Sequence, residues 1–174
     1  MGEGWGDFLA TLLRQQPEYH RGMDFLMGSY VYQGKTIRKY PYSTSMKTNP
    51  ETYAFIRKYA YWGVHAKGEV WAGILLESYW NFIDAYGFDA DWYNGSGGNN
   101  KMLKNVIDGM KIQPCNPSFV DARDAIMQAD KINFEGDNQC LLWKGFAKRG
   151  LGVKAKAGGH ESFEVPSYCL DEEQ

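Results

Sequence analysis

The strongest constraint on the fold is one long segment that is apolar on more than one helical face and ends at a glycine. Beyond Glu69 this pattern predicts a helix that reaches about Tyr86, with Gly87 as its C-terminal cap. A helix that must bury more than one face lies inside a domain, with other helices packed around it. Its apolar positions are Val70, Trp71, Ile74, Leu75, Phe82 and Tyr86. We therefore predict a mainly α fold built around this helix.

Other segments with helical spacing and capping residues predict the surrounding helices, for five or six in all. They are expected at residues 3–16, 50–59 and 100–112, from Asn116-Pro117 onward, and from a cap at Asp137 to Gly150. Residues 30–38 predict at most a small β-hairpin, and residues 151–174 predict an irregular tail that Cys169 could hold in place. Because no repeat or linker divides the sequence, we expect residues 1–174 to form a single domain.

Composition and charge limit the partners that this chain can have. The chain has 174 residues, of which 44% are hydrophobic, enough for one domain with a core. Its 19 basic and 21 acidic residues give a net charge of -2, whereas a nucleic-acid partner would require a basic patch or a basic excess. No apolar run approaches the roughly 18 residues of a membrane span, and the first residues lack the features of a signal peptide. We therefore expect neither nucleic acid nor a membrane as a partner.

The three cysteines, Cys115, Cys140 and Cys169, leave the disulfide pairing open. Their spacing is neither that of a zinc ribbon nor that of a C-x-x-C redox motif. One disulfide with an odd thiol, formed from any of three pairs, and three buried thiols are both compatible with the sequence.

A sequon for N-glycosylation, Asn94-Gly95-Ser96, lies in a glycine-rich loop where a modifying enzyme could reach it. The similar sequence Asn116-Pro117-Ser118 is not a sequon, because proline occupies its middle position. Sequons are common by chance, so this one favours secretion only slightly.

Two carboxylates, Glu3 and Asp7, open the first predicted helix. Their spacing of i and i+4 places them on one face, one turn apart. Acidic residues are common at helix starts because they suit the positive end of the helix dipole. Taken alone, the pair therefore fits a structural role better than a chemical one.

His65 and Arg38 are the other candidate site residues. His65 lies where the long helix begins, and the positive end of a helix disfavours a charged imidazolium. A histidine that caps or packs is the ordinary alternative. Arg38 follows the predicted hairpin, and its guanidinium fork suits a carbonyl or a carboxylate. A solvated surface arginine is the commoner case.

The chain lacks the H-E-x-x-H motif, in which two histidines one helical turn apart bind zinc and a glutamate activates water. The run from His160 to Glu164 begins with His-Glu but ends in glutamate, and we interpret it as a coincidence. No G-x-S-x-G elbow is present either, so catalysis by Ser/His/Asp or Cys/His groups stays open without a signature to support it.

Several blocks of the sequence, taken together and in order, resemble the fungalysins, which are secreted fungal zinc metalloproteases with a thermolysin-like fold. The block that carries most of the resemblance is Gly2-Glu3-Gly4-Trp5-Gly6-Asp7-Phe8, which is similar to the segment just after the H-E-x-x-H helix of that family. The others are residues 38–44, 49–53, 63–72, 113–119, 140–143 and 146–152. The resemblance implies that this chain is the helical C-terminal lobe of the catalytic domain. It places the prodomain, a mostly β lobe and the H-E-x-x-H helix upstream.

The resemblance also implies a role for each candidate residue. Glu3 would be the third protein ligand of a catalytic zinc ion, beside two upstream histidines. Asp7 would accept a hydrogen bond from one of those histidines and fix its ring. His65 would stabilise the oxyanion that forms as water adds to the scissile carbonyl, and Arg38 would hold the neighbouring substrate carbonyl.

Two positions depart from the family pattern. Gly6 stands where related motifs usually have serine, and Ala60 stands where an aspartate usually orients the cleft histidine. A nearby tyrosine, Tyr53 or Tyr59, could orient His65 instead.

From the resemblance we expect an extracellular zinc metalloendopeptidase that cleaves protein and peptide substrates, with the upstream lobe and the prodomain as partners. The 174-residue chain alone is expected to be inactive, because it carries no H-E-x-x-H motif. The alternative is a non-catalytic fragment or binding module derived from this lobe. A carbohydrate-active protein is a weaker alternative, since carboxylates at i and i+4 on one helix are badly placed to flank a glycosidic bond.

Overall fold

The longest helix of the computed structural model occupies the centre of the fold. The structure describes residues 1–170, and within them the α-helices are α1 at Gly2–Leu13, α2 at Val64–Tyr86, α3 at Gly98–Ile112, α4 at Phe119–Phe134 and α5 at Gln139–Lys148. Helices α1, α3 and α5 pack against α2, while α4 packs against α3 and α5. The prediction of a mainly α fold around a central helix is confirmed.

Helix α2 is buried on several faces, as its apolar pattern predicted. Trp71, Ile74, Leu75, Tyr79 and Trp80 are each at most 1% exposed. The helix starts at Val64, earlier than predicted, and it ends at Gly87, whose φ of 71° is left-handed. Glycine adopts that conformation without a steric penalty, so Gly87 terminates the helix as expected.

A buried arginine holds the long connection between α1 and α2 in place. Arg149, at the end of α5, donates hydrogen bonds to the carbonyl oxygens of Ser43, Asn49 and Glu51. Its Nε donates to the Glu77 carboxylate of α2 at 2.9 Å. Both side chains are 1% exposed. The loop therefore lies on α2 and α5 through polar contacts rather than through regular secondary structure.

The sequence allowed at most a small hairpin or extended pair at residues 30–38, and the segment forms neither. This segment forms consecutive turns, in which Tyr32 N donates to the Gly28 carbonyl and Gly34 N donates to the Ser29 carbonyl. The positive φ angles at Gln33 and Gly34 would suit a hairpin turn, but the N–H groups of Tyr32, Gly34 and Lys35 bond to carbonyls only three to five residues earlier, so no strands pair. The nearby antiparallel pairing is a single bridge between Phe25 and Tyr42.

The predicted helix at residues 50–59 is also wrong. The segment forms two short 3₁₀ turns, Tyr53–Arg57 and Tyr59–Tyr61. The Asn49 side chain accepts a hydrogen bond from Glu51 N in a local turn, and Tyr53 N donates to the Arg149 carbonyl. In a helix starting at Pro50, Tyr53 N would donate to the Asn49 carbonyl, but that carbonyl accepts from Arg149 instead, so the helical hydrogen bonds do not start here.

Several helix ends differ from the prediction. Helix α1 ends at Leu13 rather than Gln16, and α4 begins after Ser118, which forms a capping box with Asp121. The cap position of α5 is Asn138 instead of Asp137. Asn138 makes no side-chain cap bond: its side-chain oxygen accepts from the Tyr86 hydroxyl at 2.6 Å, and its amide nitrogen donates to Asp130 at 2.7 Å.

A disulfide between Cys140 and Cys169 resolves the question of pairing, and Cys115 is an exposed free thiol. The bond fastens the end of an irregular segment, residues 151–170, to α5. Closing a loop of this length, a sequence separation of 29, contributes on the order of 3–4 kcal/mol by restricting the unfolded chain. Residues 171–174 of the predicted tail lie outside the described part of the chain.

Candidate active site

Two glycines let α1 and α2 cross at very short range. A Cβ atom at Gly4 would collide with the Gly68 carbonyl, and one at Gly68 would lie 2.7 Å from the Glu3 Cβ atom. Trp5 and Trp71 pack edge to face beside the crossing, with ring centroids 5.0 Å apart. Because the backbones touch here, the first turn of α1 lies against the first turns of α2.

This crossing brings Glu3 next to two cationic or potentially cationic groups. The Glu3 Oε2 atom lies 3.3 Å from His65 Nε2 and 3.7 Å from an Arg38 terminal nitrogen. The Glu3 side chain is 41% exposed and the His65 side chain is 66% exposed. Groups from α1, α2 and the connecting loop therefore meet at one open face of the molecule.

Asp7, one turn after Glu3, is buried below this face. Arg38 binds it with two hydrogen bonds, Nε to Oδ2 at 2.5 Å and NH2 to Oδ1 at 2.8 Å. The Tyr42 hydroxyl donates to the same Oδ2 atom. The bond to Asp7 raises the pKa of the Arg38 guanidinium above its usual value, and burial, followed by Asp7, raises the pKa of Tyr42. The Arg38 guanidinium is therefore protonated, and its two hydrogen bonds to Asp7 fix the orientation of its plane.

Glu69 fixes the loop that carries Arg38, and the sequence analysis missed this residue. It lies one helical turn after His65 and is 1% exposed. Its Oε1 atom accepts a hydrogen bond from Tyr40 N at 2.8 Å. Burial raises the pKa of Glu69, and burial followed by the Glu69 charge raises the pKa of Glu51 to about 7. The sequence signal that could have identified Glu69 is its i+4 spacing from His65, which places both residues on one face of the helix.

The expectation that a tyrosine orients His65 is not met by this geometry. The Tyr53 hydroxyl donates to the Lys156 carbonyl, in a different part of the molecule. Tyr59 is 83% exposed, and its ring packs against Trp62. Within the described residues, the polar contact of the His65 ring is with Glu3 instead.

The residues present fit one ligand of a zinc site, but not a complete site. Zinc sites in enzymes use three protein ligands and keep one position open. Within residues 1–170, no group of three or more His, Cys, Asp and Glu side chains could hold a metal ion. The exposed Glu3 carboxylate is a suitable donor for one coordination position. The remaining ligands of such a site would have to come from another segment.

Within residues 1–170, no helix combines the length and the apolar character that crossing a bilayer requires.

Comparison with known proteins gives consistent matches. A sequence profile of the fungalysin metallopeptidases (M36) matches residues 1–155. An extracellular metalloproteinase of Pyrenophora tritici-repentis is 46% identical over 178 residues, which cover 96% of this chain and 27% of the relative. Extracellular metalloproteinase MEP of Neosartorya fischeri is 49% identical over 177 residues, which cover 96% of this chain and 28% of the relative. Extracellular metalloproteinase 5 of Arthroderma otae is 50% identical over 179 residues, which cover 97% of this chain and 28% of the relative.

The chain thus spans little more than a quarter of the length of these relatives. The profile match extends from α1 through α5 and includes Glu3, Asp7, Arg38 and His65. On this evidence, the chain belongs to the fungalysin metallopeptidase family.

Proposed function

We propose that this chain is the helical C-terminal lobe of a secreted zinc metalloendopeptidase, which cleaves peptide bonds of proteins outside the cell. The observation that carries the proposal is the convergence of Glu3, His65 and Arg38 at one face, with the Glu3 carboxylate 3.3 Å from His65 Nε2 and 3.7 Å from an Arg38 terminal nitrogen. The names of the relatives as extracellular metalloproteinases support it. The whole enzyme would also contain the lobe with the H-E-x-x-H motif and a prodomain that keeps it a zymogen.

In this proposal Glu3 supplies a carboxylate ligand for the zinc ion, together with two histidines of the other lobe. When bound, zinc would polarise the substrate carbonyl and lower the pKa of a water molecule. Asp7 orients one of those histidines. Its Oδ2 atom already accepts two hydrogen bonds and Oδ1 accepts one, so Oδ1 has a free lone pair for a ring N–H.

His65 and Arg38 act on the substrate itself. The exposed His65 ring can donate a hydrogen bond to the carbonyl oxygen as negative charge develops on it. Arg38 uses Nε and NH2 for Asp7, which leaves its NH1 group to donate to a second substrate carbonyl. The pair with Asp7 holds the guanidinium plane in place before substrate arrives, which lowers the entropy lost on binding.

The test is a fusion enzyme in which this chain replaces the matched segment of the Pyrenophora relative. We expect the fusion to cleave casein, and a zinc chelator to stop the cleavage. The 174-residue chain alone should be inactive, and adding the upstream segment of the relative in trans should restore zinc binding and cleavage.

Glu3→Gln should abolish cleavage by the fusion, while Glu18→Gln, an exposed loop position with the same charge change, should leave it intact. Zinc-independent cleavage by the isolated chain would contradict the proposal. A fusion that folds but neither binds zinc nor cleaves would favour the alternative, a non-catalytic binding module. The observation behind this alternative is that Glu3 supplies a single ligand, since the described residues contain no group of three or more side chains that could hold a metal ion.

A further inference from the structure

We propose that Asn94 carries an N-linked glycan whose first sugar covers a partly apolar groove on the opposite end of the molecule from the candidate active site. Asn94-Gly95-Ser96 is the one Asn-x-Ser/Thr sequence of the chain without a central proline. It lies in the loop between α2 and α3, and both Asn94 and Ser96 are exposed.

The loop presents Asn94 in a fixed conformation. The Asp91 carboxylate accepts hydrogen bonds from the backbone N–H groups of Tyr93 and Asn94, both at 3.0 Å. Asp89 accepts from Asp91 N and Ser96 N. The Asn94 side chain donates to the exposed Asp91 Oδ2 atom at 3.3 Å. The side-chain amide is therefore exposed and held within its own loop, where a sugar can be attached.

Attachment is compatible with this hydrogen bonding. The sugar would be transferred from a lipid-linked diphosphate oligosaccharide. A bond forms between the Asn94 Nδ2 atom and C1 of N-acetylglucosamine, the bond from C1 to the diphosphate oxygen breaks, and Nδ2 loses one proton. The amide has two hydrogens, so the one that remains can still donate to Asp91. The loop therefore need not rearrange.

A groove beside Asn94 gives the first sugar a surface to cover. Its volume is about 350 Å³, and its lining combines an apolar part, Trp92, Tyr93, Leu103 and Ile107, with the polar side chains of Asn100, Lys104, Asp108 and Lys111. Tyr93 is 96% exposed, so its ring is free to pack against a sugar attached to the next residue. Sugar rings present C–H faces that pack on aromatic side chains while their hydroxyls face water. A sugar on Asn94 would remove this apolar surface from solvent.

The position leaves the candidate active site clear. Helix α2 has 23 residues, so it is about 34 Å long at 1.5 Å per residue. His65 is the second residue of that helix, and the loop with Asn94 follows its other end. A glycan at Asn94 therefore lies about one domain width from Glu3 and His65.

The inference rests on passage through the secretory pathway, which is part of the proposed function, and the test imposes that passage. The 174-residue chain is expressed in yeast behind a secretory leader, and the peptide containing Asn94 is analysed by mass spectrometry before and after endoglycosidase H. We expect the glycan at Asn94, its loss in both Asn94→Gln and Ser96→Ala, and none at Asn116. An unmodified Asn94 in the wild-type chain would overturn the proposal, whatever the fusion enzyme does with casein.

The groove is tested separately by hydroxyl-radical footprinting. Endoglycosidase H leaves one N-acetylglucosamine on Asn94, whereas the Ser96→Ala chain keeps Asn94 and carries no sugar. We expect oxidation of Tyr93 to be at least threefold slower with the single sugar present, while Tyr30, which is 98% exposed elsewhere, reacts equally in both forms. Equal oxidation of Tyr93 in the two forms would show that the sugar does not cover the groove.

Discussion

Two arginine–carboxylate pairs are buried on both sides within residues 1–170, Arg149 with Glu77 and Arg38 with Asp7, and they differ in how many donors of the arginine the protein itself uses. Arg149 gives Nε to Glu77, NH1 to two carbonyl oxygens and NH2 to a third. Arg38 gives Nε and NH2 to Asp7, and within residues 1–170 its NH1 group donates no hydrogen bond. We therefore call Arg149–Glu77 the closed pair, since every nitrogen of its guanidinium donates within the protein, and Arg38–Asp7 the open pair, since one nitrogen is left to donate to a ligand.

The surroundings of the two pairs differ in the same way. Arg149 and Glu77 are both 1% exposed, so breaking their contact would leave a charge inside the protein. Beside Arg38, the carboxylate of Glu3 and the ring of His65 remain in contact with solvent. A closed pair stabilises the fold, whereas a pair with a spare donor and exposed neighbours can bind a ligand.

The largest effect is expected at the closed pair. Arg149→Met should lower the free energy of unfolding by about 3–5 kcal/mol, because the Glu77 carboxylate stays buried without this partner. Lys148→Met is the matched control, since Lys148 contacts the same carboxylate but its side chain is 38% exposed, and it should cost under about 1 kcal/mol. Urea denaturation of the chain measures both. Equal losses of unfolding free energy in the two variants would show that the buried contact of Arg149 stabilises the fold no more than the exposed contact of Lys148 does.

At the open site the effect should appear in activity instead of stability. In the fusion enzyme, His65→Phe should lower kcat/KM by about 10²–10³-fold, because one donor to the developing oxyanion is lost. The ring is 66% exposed, so the unfolding free energy should change by no more than about 0.5 kcal/mol. His160→Phe, at an exposed histidine whose side chain makes no hydrogen bond within residues 1–170, should change neither quantity. If His65→Phe destabilises the protein as strongly as it slows cleavage, the site is structural.

The buried Glu51 should make stability depend on pH. Its pKa is raised from 4.5 to about 7, so the folded chain binds this proton more tightly than the unfolded chain does. The contribution of this group is therefore complete below pH 4.5 and is lost as the pH rises through about 7, a change on the order of 3 kcal/mol. Glu51→Gln, which stays neutral, should flatten this decline in denaturation measured from pH 4 to 8. An unchanged slope, equal to that of Glu18→Gln, would contradict this account.

The smallest of these effects is expected at the crossing of α1 and α2. Gly68→Ala should cost about 1–3 kcal/mol, since its Cβ atom would press on Gly4 N and the Glu3 Cβ atom. Gly73→Ala, in the same helix with nothing within 4 Å of its Cβ position, should stabilise by about 0.5–1 kcal/mol. Thermal unfolding distinguishes the two variants. Stabilisation by both would mean that the helices do not meet at Gly68.

The helices were predictable where the signal is local. The apolar pattern of α2 and the glycine that ends it are set by neighbouring residues, and both predictions hold. The segment at 50–59 was mispredicted because Asn49-Pro50 resembles a helix start, while Arg149, far along the chain, takes the carbonyl groups of Asn49 and Glu51. A tertiary contact of that kind leaves no trace in local sequence.

The candidate site was predictable as a list of residues but not as a set of contacts. The i+4 spacing of Glu3 and Asp7 placed both on α1, as observed. The spacing gave no sign that Asp7 is buried against Arg38 while Glu3 stays exposed beside His65. These pairings depend on the Gly4–Gly68 crossing and on Glu69, whose contact with Tyr40 N joins residues 29 positions apart.

The central claim, that Glu3 is a zinc ligand, is tested most directly by the zinc affinity of the fusion enzyme with and without its carboxylate. Loss of groups that merely support a ligand weakens metal binding 10–100-fold, so Glu3→Gln should weaken it by more than about 100-fold. Glu18→Gln should leave the affinity unchanged. If zinc binds Glu3→Gln as tightly as it binds the unsubstituted fusion, Glu3 does not hold the metal and the proposed active site is wrong.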